Sequence, residues 1–183
     1  ELQIKHLENS IAQAKLTRDS NVRSLESSVI TAPFDGEVQD LQLKEGDNIS
    51  NNGVLLKIVD KSKLKLLVSF SNTQREKLYT GQEVMVNVYD SSTEELYQVK
   101  GSISSVSTPS YTTSDGTENY NVGIEIDNNG SLSEGMIANA IIKIDGKEYK
   151  SKGTGNLSYL RSMSVKAVAG GTLKVLNAEN GQN

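Results

Sequence analysis

Ile30-Thr31-Ala32-Pro33-Phe34-Asp35-Gly36-Glu37-Val38, followed by Glu45-Gly46-Asp47-Asn48-Ile49 and Gly53-Val54-Leu55-Leu56, is the stretch on which the fold turns. Pro33 has no backbone N–H and pushes the residue before it out of the helical region, so a helical pattern cannot run through it. From there Val38, Leu41, Leu43, Val54, Leu56 and Ile58 recur at the short spacings of strands. Gly36, Gly46 and Gly53 punctuate them, and Asn52-Gly53 is a turn signal because both residues tolerate left-handed backbone. Pro33 and these three glycines are therefore expected to set the turns of a small β unit over 29–61.

Upstream the period is different. Ile4, Leu7, Ile11, Ala14, Val22, Leu25 and Val29 fall three or four residues apart, with Lys, Glu, Gln, Asn and Ser between them. That spacing predicts an amphipathic helix over 1–28. Arg18 stands where the stripe calls for an apolar residue, as a stutter in a coiled-coil seam allows. A lone helix of this kind buries little, so the segment is expected to be one arm of an antiparallel hairpin, with Ile4, Leu7, Ile11, Ala14 and Leu25 packing on the other arm.

Downstream, strands are expected at Leu64 to Phe70, Glu83 to Tyr89, Leu96 to Val106, Tyr120 to Ile126 and Met136 to Ile144, with Asp115-Gly116 and Asn128-Asn129-Gly130 in their turns. Ser71 followed by Gln74 has the spacing of a capping box and predicts a short helix ending near Tyr79, with Gly81 as its left-handed stop. Short strands around one capping helix suggest a closed or partly closed β-barrel over 62–147.

The tail repeats an earlier segment. Laid without a gap on Val29 to Asn48, Ser164 to Asn183 matches Ala32 with Ala167, Gly36 with Gly171, Leu41 with Leu176, Gly46 with Gly181 and Asn48 with Asn183. Glycines at one spacing mark the same turns, so Gly171 and Gly181 are expected at turns and the tail is read as the start of a second copy of the unit.

Composition narrows the function. The chain of 183 residues has no Cys and one His, which excludes thiol chemistry, disulfides and Cys/His zinc sites. Net charge is -4 with both signs interspersed, and no basic cluster is interleaved with aromatics, so nucleic acid is not an expected partner. With Trp absent and only two Phe, burial has to come from Val, Ile and Leu spread along strands.

The segment Ala32-Pro33-Phe34-Asp35-Gly36, with the Gly46 and Gly53 turns, resembles the second half of a split lipoyl-like domain in the bacterial membrane fusion proteins, the HlyD-like periplasmic adaptor family. Leu78-Tyr79-Thr80-Gly81-Gln82 is similar to that family's barrel opening, and Gly135-Met136-Ile137-Ala138 to the start of its last barrel strand. The resemblance covers residues 1 to about 145 and implies a mainly β fold with an N-terminal coiled-coil helix. In it, 1–28 is the second arm of an α-helical hairpin, 29–61 half of a lipoyl-like (barrel-sandwich hybrid) domain, and 62–147 a β-barrel. Residues 148–183 depart from the family's usual course and are read as a membrane-proximal or second lipoyl-like half-unit. The resemblance further implies an adaptor at the extracytoplasmic face of the bacterial cell membrane, anchored through a segment upstream of residue 1. Its partners would be an ABC transporter or proton-driven pump and further copies of itself in a ring, a hexamer being one such ring. In a Gram-negative cell an outer-membrane channel would be added. Low aromatic content and many Asn and Lys lean toward a Gram-positive source.

No catalytic, cofactor or metal residue is expected. A lipoyl or biotin carrier shows a modified Lys at the hairpin joining its two halves, whereas Ser27 to Ile30 hold no Lys. His6 lies in a polar helical stretch without a second ligand, and Asp127-Asn128-Asn129-Gly130-Ser131 lacks the closing acid of a calcium loop. Two other readings stay open beside the adaptor: a cell-surface structural or ligand-binding protein built from the same small modules, and the cofactor carrier.

Overall fold

The computed structural model describes residues 2–26, 28–113 and 116–182. Ser27, the Asp115 half of the Asp115-Gly116 turn and the Asn48–Asn183 match lie outside them. The chain forms α1 (Leu2–Glu26), β1 (Glu37–Gln39), β2 (Asn48–Ile49), β3 (Val54–Ser71), α2 (Asn72–Arg75), β4 (Glu83–Asp90), β5 (Glu95–Val106), β6 (Tyr111–Thr112), β7 (Glu118–Asp127), β8 (Ile137–Ile144), β9 (Lys147–Lys150), β10 (Gly155–Lys166) and β11 (Gly171–Thr172). These divide into two compact units, Val59–Ser162 and the pair of segments Glu1–Ile58 and Met163–Asn183.

The Val59–Ser162 unit is a closed six-stranded barrel in the order β3-β10-β8-β4-β5-β7, with β7 pairing back onto β3. Strict alternation builds it. Leu64, Leu66, Val68 and Phe70 of β3 point inward, as do Val84, Val86 and Val88 of β4, Val122, Ile124 and Ile126 of β7, and Ala138, Ala140 and Ile142 of β8. Large and small residues meet in register: Val86 faces Ala140 and Val88 faces Ala138, which fits side chains into a narrow lumen. Charges take the other face, where Lys65 lies opposite Glu125 and Lys100 Nζ sits 2.9 Å from Glu83 Oε1.

Two features of the barrel differ from the sequence expectation. The short helix ends at Arg75, not near Tyr79, because the chain tightens into i→i+3 turns: Lys77 N–H donates to Gln74 O and Leu78 N–H to Arg75 O. Gly81 is left-handed at φ +87°, yet it serves the turn into β4, where its N–H donates to Ile103 O at 2.8 Å. The barrel also runs past residue 147. The strand opened by Gly135-Met136-Ile137-Ala138 is not the last one, since β9 pairs with β8 and β10 closes the cylinder between β8 and β3. Leu157 of β10, 1 % exposed, carries the inward face across the closure.

In the other unit α1 is a continuous helix of 25 residues with none buried. Residues 28–58 and 163–182 fold together around a small core of Leu55, Ile58, Val165 and Ala167, flanked by Phe34, Leu43, Ile49 and Leu56. The Asn52-Gly53 turn forms with Asn52 at φ 61° and Gly53 N–H donating to Ser50 O at 2.9 Å. The tail is strand and turn, as the repeat led one to expect, and it packs on the earlier copy. Main-chain bonds join the two: Asn52 N–H donates to Ala167 O and Ala167 N–H to Gly53 O, both at 2.9 Å, and β11 pairs with β2.

Candidate functional site

The offset that carries Val29 onto Ser164 also carries the hydrogen bonds of one segment onto those of the other. Gly46 N–H donates to Leu173 O, and Gly181 N–H, its repeat equivalent, donates to Val38 O, the equivalent of Leu173; both are 2.8 Å. Val38 N–H donates to Gln182 O and Leu173 N–H to Asp47 O, both 2.9 Å. Side chains follow the same rule, for Leu41 N–H donates to Asn180 Oδ1 at 2.9 Å and Leu176 N–H to Glu45 Oε1 at 3.0 Å. Each segment thus treats its partner as its partner treats it, which is the contact pattern of a local two-fold axis. The two copies make one joint unit.

Gly46 and Gly181 hold equivalent places in that pattern, at φ +94° and +83°, where a side chain would be strained. Gly171 does not lie at a turn: it opens β11 opposite Ile49. The close approach falls one residue earlier, at Gly170, where a Cβ would lie 3.3 Å from Ile49 O. Gly36 immediately precedes β1, and Pro33 sits in a bend on the exposed surface.

The two-fold is filled on one side only. Val165 and Ala167 are buried against Leu55 and Ile58, whereas their repeat equivalents Ile30 and Ala32 are exposed, Ile30 by 42 %.

Between the two segments of this unit the chain leaves along β3 after Ile58 and returns along β10 at Met163, with the whole barrel between. The connection between the two segments is therefore the whole barrel.

The second candidate surface is α1. Ile4, Leu7, Ile11, Ala14 and Leu25, the five expected packing residues, all stay on its solvated surface, with Ile11 55 % and Leu25 72 % exposed. Arg18 forms an ion pair with Asp19 at 2.9 Å and keeps the stripe interrupted at that level. No helix among the described residues is long and apolar enough to cross a membrane.

No cluster of three or more His, Cys, Asp or Glu able to hold a metal occurs among the described residues, and His6 lies exposed on α1. Asn128 organises its turn instead of a cation: its Oδ1 accepts from Gly130 N–H and Leu132 N–H, and its Nδ2 donates to Lys61 O and Leu132 O. Asp60 and Asp90 titrate below the ordinary carboxylate range because Ser62 and Ser92 donate to them from hydroxyl and backbone, which is turn capping.

The sequence reading placed Ala167 in the repeat and Asn128 in a turn, but it did not assign Val165 and Ala167 to a core or the Glu45 and Asn180 side chains to bridges between the two segments. For Val165 and Ala167 a signal was present, since they alternate into the strand and align with Ile30 and Ala32 in the repeat. Comparison with family models, curated proteins and solved structures finds no match to this chain.

Proposed function

We propose that the chain is part of a membrane fusion (HlyD-like) adaptor: a non-catalytic subunit that assembles with its own copies at the extracytoplasmic face of a bacterial membrane and couples a cytoplasmic-membrane pump to export. In this reading the paired half-units are a lipoyl-like module and α1 is one arm of a hairpin. The observation that supports it most is the place of the barrel. A carrier needs its joining hairpin short and free so that a modified Lys can swing between active sites. Here a closed barrel with an apolar lumen is inserted in the chain at that position, so the connection between the paired segments is a folded unit and not a short free hairpin. Exposed apolar residues along α1 add a surface whose burial requires another helix.

An adaptor of this kind acts by position. It contributes no bond-breaking step, and it alters transport by binding one state of the pump better than another. The helix stripe supplies the test. Ile11→Asp places a charge at the centre of the stripe on a helix none of whose residues is buried. In full-length protein it should reduce export in cells severalfold while barrel melting and recovery with the pump from detergent-solubilised membranes stay as in the parent. Export at the parental level with Ile11→Asp would overturn the role given to the helix.

A further inference from the structure

We propose that residues 163–182 of one copy dock on residues 29–58 of a second copy, and reciprocally, giving a segment-exchanged dimer whose interface is the two-fold pairing already present within each chain. The proposal stands apart from any role in transport.

Three observations carry it. The first is the reciprocity of the contacts. The surface that 29–58 offers to the tail includes main-chain groups of Val38, Leu41, Gly46, Asp47, Asn52 and Gly53, the carboxylate of Glu45 and the apolar side chains of Leu55 and Ile58, and its polar part follows the repeat pattern. A tail from another copy carries the same Leu173, Leu176, Asn180, Gly181 and Gln182 and restores each bond. Exchange therefore loses no native contact, and only the entropy of joining two molecules opposes it.

The second is how little apolar burial holds the tail. Of its residues only Val165 and Ala167 belong to the buried core, and Val168 and Val175 remain exposed by 66 % and 62 %. A segment with few buried apolar groups opens locally at low free energy, long before the molecule unfolds. The barrel, with its own closed core, is not disturbed by that opening.

The third is the connection. Arg161, Ser162, Met163 and Ser164 are four successive exposed residues on the strand leading into the tail, so redirecting the chain there uncovers no core. Neither Pro nor a tight turn fixes the path at this point. Strand segments that can straighten without exposing apolar surface are where exchange between copies is cheapest.

Absence of Cys from residues 1–183 gives a clean test. Asn48 and Thr172 are register partners on β2 and β11, and Thr172 Oγ1 lies 2.9 Å from Asn48 Oδ1, so paired Cys replacements meet the geometry of a disulfide. The double variant Asn48→Cys with Thr172→Cys, oxidised when dilute, should close within one chain, which checks the register. The two single variants are then mixed at high concentration, warmed below the barrel transition and oxidised. A covalent dimer containing one copy of each is expected, growing with protein concentration and absent when either single variant is oxidised alone. If the double variant closes internally while the mixture stays monomeric at every concentration, the tail never leaves its own chain and the proposal fails. It fails equally if Asn48→Cys alone cross-links as well as the mixture, since the interface would then not involve the tail.

Discussion

Phe70→Ala should destabilise the barrel by about 3–5 kcal/mol, the cost of removing an aromatic side chain from a packed interior and leaving a cavity behind. Phe70 is fully buried at the end of the inward row Leu64, Leu66, Val68 of β3, and it is the largest of the fully buried side chains. For a domain of this size the loss corresponds to a drop in melting temperature of roughly 10 °C or more. Calorimetry on the full chain should show the barrel transition moving by that amount, and a shift within a degree or two of the parent would mean that the lumen is not packed as described.

Gly155→Ala tests the closure, which is the least redundant part of the cylinder. A Cβ at Gly155 would run into the carbonyl oxygen of Leu67 and come within 3.0 Å of Leu66 Cδ1. Because the first of these is backbone, no rotamer change relieves it, and β10 would have to move off β3. Overpacking of this kind costs about 1–3 kcal/mol, more where a strand is displaced. Gly123→Ala is the fitting comparison. There the nearest obstacle is the Ser105 hydroxyl at 2.5 Å, a side chain that can rotate away. Thermal melts should therefore rank Gly155→Ala well below Gly123→Ala in stability. The reverse order would place the tight contact on the wrong pair of strands.

The barrel was legible in the sequence to within a residue or two at most strand ends, because a Val, Leu, Ile or Phe recurs at every second position along Leu64–Phe70, Val84–Val88 and Val122–Ile126. Local propensity and burial agree there, and the period of two leaves no second register that keeps the apolar face inside. What was not legible lies where local and distant signals compete. Gly153-Thr154-Gly155 reads locally as a break before a new unit, yet Gly155 is small because β10 must approach Leu67 closely to shut the barrel. The extent of α2 was overestimated because the capping pair Ser71 and Gln74 marks a helix start and says nothing of its length. That contact is present, with Ser71 N–H donating to Gln74 Oε1 at 3.0 Å, on a helix of only four residues.

The repeat is the clearest case of partial legibility. Its glycines announced that the tail resembles the segment after Pro33, and the left-handed Gly46 and Gly181 show the same turn made twice. That the copies pair with each other was open, because complementarity resides in long-range partners such as Glu45 with Leu176 and Leu41 with Asn180, which are distant along the chain. Equivalent residues also have unequal surroundings, buried at Val165 and exposed at Ile30, and a repeat alone cannot announce that difference.

In the adaptor role proposed above, this protein changes a transporter's work by contact. Its most direct test is ATP hydrolysis and substrate flux by the partner pump in sealed vesicles, measured with and without the full-length adaptor. The expected result is that the protein alone shows neither activity and that adding it alters the pump's hydrolysis or flux, since a protein that binds one state of a cycle preferentially must shift that cycle. Identical hydrolysis and flux in its presence and absence, together with normal export in a strain lacking the gene, would contradict it.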